Sequence, residues 1–374
     1  MSADVTDAPV DEIAPDAVDS EATEEQIPTP EHVPDFTPGT GADWAITATA
    51  SKIAAMLGLS EYDTFKSIWL KMKYPQAFPQ KSNRAQRRGS KLEDGFLDMW
   101  FEDNPRYRRL SETEVTVVCE TLGFPAAATP DSLALDIETG EVICIEHKTI
   151  GRWADMSLWG EPGSDIAPDG YVLQCIWQMI CTKLLRTALI RSGPFIDDQE
   201  TYWIDYDADV AEQIITVVRA FMQSVVDGIE PPNDGTKVSY DAMRNVYSQI
   251  ITDAPGEDWE ISIDRALQFE TASQRFDEAE ADLYRAKQDT MKDMGKARRA
   301  IVMLPRKVGK SGKLLKQEVL TIATRQGIKG GGSKLVKGRS KGLSVDALLE
   351  LREAAAAEAA AVSAEALALE PATS

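Results

Sequence analysis

The apolar run Val142-Ile143-Cys144-Ile145 leads directly into Glu146-His147-Lys148, and no other stretch constrains the fold as strongly. Thr139-Gly140 just upstream has the chemistry of a hairpin turn and separates this run from a second predicted strand at 132–138. The spacing therefore predicts a dry strand over 142–149 that ends in charge. Alternate strand residues share a face, so Glu146 and Lys148 point one way and His147 the other. Bare charges are too costly to bury there; they need a metal, a partner or an open cleft. Asp131, in Pro130-Asp131, adds an acid one hairpin upstream.

This layout suits metal-dependent phosphodiester cleavage. Hard carboxylate oxygens hold Mg²⁺, which lowers the pKa of an attacking water and stabilises charge on phosphorus. Asp131 and Glu146 would share an ion, with the backbone carbonyl of His147 as a further ligand. Lys148 would hold the water or offset developing negative charge. The plain alternative is an acid in a Pro-Asp turn and a Glu–Lys pair at a strand end. The apolar strand and the upstream acid together favour the catalytic reading, and the His147 side chain reads as structural.

Glu93 has two readings. Ser90 and Glu93 fit a capping box at the start of a helix over 90–102, yet Phe96, Leu97 and Trp100 place Glu93 beside an apolar stripe. A carboxylate aimed at the core is a candidate ligand for a second ion. In the helix predicted over 171–186, Gln174, Gln178 and Thr182 form the one polar stripe. Buried amides need partners, supplied either by a carboxylate-lined cleft or by loop backbone. Further helices are predicted at 51–59, with Ser51 as N-cap, at 64–73 and at 208–227, and strands at 112–119, 187–192 and 200–206. Together these predict a three-layer α/β core over residues 44–235, a mixed sheet flanked by helices.

Charge divides the rest. Residues 1–43 hold twelve acids and no Lys or Arg, and read as a disordered acidic head. Residues 236–295 read as a helical arm, with Phe269, Ala272, Phe276, Ala279, Leu283 and Ala286 at heptad spacing. A basic extension follows at 296–342, then an Ala/Glu-rich tail at 343–374. Residues 287–341 carry sixteen Lys/Arg against three acids, so the net charge of −21 does not argue against a nucleic-acid partner. The basic stretch reads equally as a small sheet or as a flexible arm that contacts DNA. Arg87 and Arg88 lie in a second basic cluster, just before the 90–102 helix.

Several classes are excluded. Gly309-Lys310-Ser311 resembles the end of a phosphate-binding loop, but Leu304 stands where its first glycine belongs. The four cysteines sit singly in apolar stretches, as reduced thiols of a cytoplasmic protein, and are unsuited to an iron–sulfur cluster. No run of about 18 apolar residues predicts a membrane span, and no basic and apolar leader predicts secretion.

The ordered pieces resemble the YqaJ-like viral recombinase family, phage-type alkaline exonucleases of the PD-(D/E)XK nuclease superfamily related in fold to lambda exonuclease. The likeness runs from Ala50-Ser51-Lys52-Ile53-Ala54-Ala55-Met56-Leu57-Gly58-Leu59-Ser60-Glu61-Tyr62 to Trp69. It continues through Gly89 and Glu93, Thr129-Pro130-Asp131, Glu146-His147-Lys148 and Gln174-Cys175-Ile176-Trp177-Gln178-Met179. The resemblance implies Asp131 and Glu146 as metal-binding acids, Lys148 as catalytic lysine, Glu93 as the helix carboxylate and Gln174 as the glutamine of the helix after the core strands. It implies an Mg²⁺-dependent exonuclease, with two ions and Mn²⁺ as substitute, acting on duplex DNA ends 5′ to 3′. Its single-stranded product would pass to a single-strand annealing recombination protein, and some relatives form ring trimers. Two departures stand out: His147 replaces an apolar residue, and no Lys or Arg precedes Lys52 to meet a 5′-phosphate. Ser51, Lys52, Arg87, Arg88 and Gln178 are the DNA-contact candidates. The rivals are an endonuclease on the same core and a non-catalytic DNA-end-binding adaptor.

Overall fold

The computed structural model describes residues 41–79, 84–111, 114–151, 154–193, 198–251, 258–307, 313–329, 331–338, 340 and 343–368. The acidic head lies outside them, apart from its last three residues. Two compact units divide the chain at Glu257/Asp258.

The first unit runs α1 (Ala42–Ile46), β1 (Ala48–Thr49), α2 (Ala50–Met56), α3 (Phe65–Lys73), α4 (Arg84–Asp103), β2 (Tyr107–Arg109), β3 (Val117–Val118) and β4 (Ala126–Ala128). It continues through β5 (Ser132–Asp136), β6 (Val142–Thr149), α5 (Asp169–Thr182), β7 (Arg186–Ser192), β8 (Gln199–Asp205), α6 (Ala208–Asp227) and α7 (Lys237–Ile251). Five strands form a mixed sheet in the order β2-β5-β6-β7-β8, in which only β6 and β7 pair in parallel. A parallel pair needs a long crossover, and α5 occupies it. A smaller sheet, β1-β4-β3, joins parallel β1–β4 to antiparallel β4–β3.

Strand alternation separates two apolar layers. Ile143 and Ile145 of β6, with Ala188 and Ile190 of β7, pack against Leu97 and Trp100 of α4. Leu189, the residue between, joins the larger core, where α2, α3, α5 and α6 bury Ile53, Trp69, Trp177 and Phe221. Burying one such side chain contributes about 1.5–3 kcal/mol, so the sheet is clamped between α4 and the other helices. This is a mixed α/β core, with its sheet flanked by helices.

Several boundaries differ from expectation. The helix expected to open at Ser51 starts at Ala50, with Thr49 in the extended N-cap conformation. The helix expected over 90–102 begins at Arg84, which puts Ser90 inside it and leaves no capping box at Glu93. Nothing between Arg84 and Arg88 breaks a helix, and straight-chain residues favour it. The strand expected over 112–119 shrinks to Val117–Val118. The helix expected to reach residue 186 stops at Thr182, because Lys183 turns left-handed with φ 63°. The proposed 236–295 arm divides: α7 stays with the first unit, where Ser239 bonds Thr64 at 2.6 Å. Lys66, 3% exposed, fastens the same junction by donating to Glu230, the Pro231 carbonyl and Asn233.

The second unit comprises α8 (Ile263–Met294), β9 (Arg299–Met303), β10 (Val319–Gly327), β11 (Ser333–Lys337) and α9 (Val345–Ala368). The basic extension thus forms an antiparallel sheet in the order β11-β10-β9. No described helix is long and apolar enough to cross a membrane.

Candidate active site

The site begins with the end of β6. Glu146 and Lys148 share the face toward α5, as strand alternation dictates. Glu146 is fully buried, and both its oxygens are occupied. Oε1 accepts from the Lys148 ammonium and from Gln174 Nε2 (2.6 Å), and Oε2 accepts from Gln178 Nε2. The polar stripe of α5 therefore finds a carboxylate, and Thr182, its third member, closes on the Gln178 carbonyl at 2.8 Å. Burial opposes charge on Lys148, but Glu146 and Asp131 hold its pKa above the ordinary lysine value, so it stays an ammonium ion. It sits 5.5 Å from the Tyr171 ring centre.

Asp131 lies beside the same strand, accepting the His147 backbone N–H through Oδ2 at 2.6 Å. The His147 side chain turns to the α4 side, where it stacks on Phe96 with centroids 5.2 Å apart and bonds Ser192 Oγ through Nε2 at 2.8 Å. Burial, then the nearby Lys148, lowers its pKa to about 4. It is a neutral, packed ring.

Carboxylate oxygens of Glu93, Glu114 and Asp131 come within 4.8 Å of one another. Glu93 arrives from the middle of α4. Glu114 was not among the candidates read from the sequence, and the fold explains its arrival. Val117 pairs with Ala128 in the β3–β4 ladder, and the Thr116 and Thr129 hydroxyls meet at 2.9 Å. Continuing that register sets Glu114 opposite Asp131. Only the pairing of two short strands carries this signal.

Three carboxylates this close repel unless protonated or neutralised by a cation. Burial, then Glu114 and Glu146, pushes Glu93 up to about 7. Burial, then Glu146, raises Asp131 well above the usual carboxylate range. Burial, followed by Glu146 and Asp94, also raises Glu114. Hard oxygen donors in a negatively strained cluster beside a fixed ammonium are a donor set that fits Mg²⁺ or Mn²⁺.

Five of the sequence candidates, Glu93, Asp131, Glu146, Lys148 and Gln174, come together here. Two DNA-contact candidates need correction. Gln178 is fully buried with its amide nitrogen on Glu146, so it supports the site and does not face a substrate. Lys52 is 6% exposed; its ammonium donates to the carbonyls of Trp44, Ala45 and Thr47 and lies 3.9 Å from the Trp44 ring centre. It braces the first turn of the domain and offers no charge to a phosphate. Ser51 is exposed on α2, and Arg87 and Arg88 are exposed near the start of α4, the helix that carries Glu93.

A mixed sheet with carboxylates from one helix and two strand regions, beside a strand-borne lysine, is the arrangement expected of the PD-(D/E)XK nucleases named from the sequence. Residues 44–184 match the YqaJ-like viral recombinase domain. No curated protein matches the chain. Among solved structures, the alkaline exonuclease LHK-Exo from Laribacter hongkongensis is 18% identical, with 55% of this chain and 95% of that one covered at a TM-score of 0.39. Its complex with dAMP is likewise 18% identical, at a TM-score of 0.40 over the same shares of the two chains, 55% and 95%. A phage-related exonuclease from Haemophilus somnus 129PT is 12% identical, with 50% and 97% covered and a TM-score of 0.36.

Proposed function

We propose that the chain is a metal-dependent DNA exonuclease that degrades linear duplexes from their ends, 5′ to 3′, and leaves single strands for homologous recombination. The observation that carries this reading is the convergence of Glu93, Glu114 and Asp131 beside the Glu146–Lys148 pair, within a YqaJ-like domain. Glu93, Glu114 and Asp131 would hold divalent cations, two Mg²⁺ ions in the full site, with Glu146 and the His147 carbonyl completing the set. Bound Mg²⁺ supplies Lewis acidity and charge neutralisation at the scissile phosphate. Lys148 faces that phosphate and offsets negative charge as water adds to phosphorus and the sugar oxygen departs with a proton. Glu146 aims Lys148, and Gln174 and Gln178 fix Glu146. Exposed Ser51, Arg87 and Arg88 would meet the DNA backbone. A single-strand annealing protein would take the product strand, in the cytoplasm of the host cell, and the exonuclease would act as a homo-oligomer.

Linear duplexes labelled separately at each terminus, digested with Mg²⁺, Mn²⁺ or EDTA, test this directly. Label should leave the 5′ end first and only with metal, and closed circles should survive. Circles cut as fast as linear DNA would make the enzyme an endonuclease. Lys148→Ala should reduce cleavage by about 10²–10³-fold in a protein that still folds, though it melts lower because Glu146 loses its buried partner; full activity would remove the lysine from the mechanism.

A further inference from the structure

The second unit carries a concentration of positive charge that the nuclease site does not use. Between residues 296 and 341 there are fourteen Lys/Arg and one acid, Glu318. Glu318 pairs with Lys307 at 3.2 Å, just ahead of β10. The antiparallel register gathers other cations at the opposite end of the sheet. Thr324 pairs with Arg299, Gln326 with Lys334 and Gly327 with Ser333, so the start of β9 and the β10–β11 turn adjoin. Lys296, Arg298, Arg299, Lys329 and Lys334 meet there, all exposed and none in an ion pair with a described residue.

One face of the sheet is covered and the other is open. Leu320 and Ala323 are buried, and Ala323 and Leu335 line an apolar cavity with Leu283 of α8 and Leu348 of α9. Arg299, Ile301 and Met303 alternate outward on β9, with the two apolar residues 43% and 59% exposed. Cross-strand pairs project from the same face, so Arg299 and Lys334 stand on this open side.

We propose that this end of the sheet binds the phosphate backbone of duplex DNA, without sequence preference, as a second contact distinct from the nuclease site. Clustered exposed cations neutralise phosphates and release counterions, and that term supplies non-specific affinity. The choice of duplex over single strand rests on composition: no Phe, Tyr, Trp or His occurs after Tyr284. Single-strand binders stack bases on aromatic rings, and the sheet has none to offer: the aromatic residues of this unit, Trp259, Phe269, Phe276 and Tyr284, all precede β9 in the chain. Duplex also presents the denser line of phosphates. The proposal rests on the nuclease reading only in taking DNA as the polyanion.

The test uses the full-length protein with Arg298, Arg299 and Lys334 all changed to Gln, and a charge-retaining control, Arg298→Lys with Arg299→Lys. Fluorescence anisotropy with a mixed-sequence 30-base-pair duplex in EDTA, across a salt series, gives the slope of log K against log[salt]. Each lost phosphate contact flattens that slope by about 0.9, so the triple variant should lose roughly 2 to 3 from it and at least tenfold in affinity at low salt. The control should keep the wild-type slope, and the kcat on saturating duplex should be unchanged. An unchanged slope in a variant that melts like wild type would overturn the proposal. An equal or greater loss on oligo(dT) of matching length would overturn the assignment to duplex. A flattened slope in a protein that never cleaves DNA would uphold this contact and defeat the nuclease reading instead.

Discussion

Glu93 sits where three demands meet: a turn of α4, the edge of an apolar layer, and a shared space with two other carboxylates. Its raised pKa has a definite consequence for stability. Below the ordinary glutamate value, 4.5, the folded and unfolded chains both hold the proton. Between there and about 7 the folded state keeps a proton that the unfolded state has released, so stability falls as pH rises through that window. A shift of this size corresponds to about 3–4 kcal/mol at most, which solvent screening of this partly exposed group reduces to on the order of 2 kcal/mol, the loss being complete above the upper limit. Melting in EDTA should therefore drop between pH 5 and pH 8, Mg²⁺ should restore it at pH 8, and Glu93→Gln should flatten the profile. A wild-type profile that is flat in EDTA would refute the coupling. Asp131, Glu146 and Lys148 were legible in the sequence because one hairpin carries them and strand periodicity sets their faces. Glu93, Gln174 and Gln178 were legible as polar positions beside apolar helical stripes. Glu114 was not, because a register between two short strands brings it in. Lys52 misled for a related reason: its charge is evident in the sequence, but the three carbonyls that absorb it are placed by the fold.

At the level of elements, long periodic segments were read well and the short ones poorly. The strands β6, β7 and β8 and the helix α6 stand close to where alternation and amphipathicity put them, since burial of one face enforces the pattern. The two- and three-residue strands β1, β2, β3 and β4 leave almost no periodic signal, and β1 and β2 find their partners far along the chain, in β4 and β5. The heptad stripe proved to lie on one 32-residue helix, α8, with no buried residue. Phe269 and Phe276 are 73% and 66% exposed, so the second unit leaves the N-terminal part of the stripe uncovered, while Leu283 and Ala286 line the cavity under the sheet. Its flanking charges suit a second copy of α8, parallel and in register. Arg275 would face Glu280 of the second copy, and Asp282 would face Lys287 of the second copy, pairings that set orientation in coiled coils. Sedimentation velocity should show an oligomer in the wild type and a smaller species in the double variant Phe269→Ser, Phe276→Ser. A monomeric wild type, or an oligomer indifferent to both changes, would move any assembly to another surface.

Across the whole molecule, the question is how a chain of net charge −21 engages a polyanion. Segregation of charge answers it in part, because the basic stretch and the acidic first forty residues are far apart in sequence. Exposed charges more than a Debye length apart are largely screened, a length of about 10 Å at 0.1 M salt and 30 Å at 0.01 M. At low salt the acidic residues should therefore repel DNA from the whole surface or compete with it for the cations of the second unit. Deleting residues 1–40 removes eleven carboxylates and no Lys or Arg, and leaves Trp44 in place to brace Lys52. The truncated protein should bind duplex DNA several-fold more tightly at 0.05 M salt, with a steeper salt dependence. The two proteins should converge near 0.5 M, where screening removes the long-range term. Competition for the second unit's cations makes a further demand: the gain on truncation should vanish when Arg298, Arg299 and Lys334 are already Gln. If the gain survives that change, the acidic residues act through bulk repulsion alone. If truncation leaves affinity unchanged at every salt concentration, the acidic segment plays no part in DNA binding.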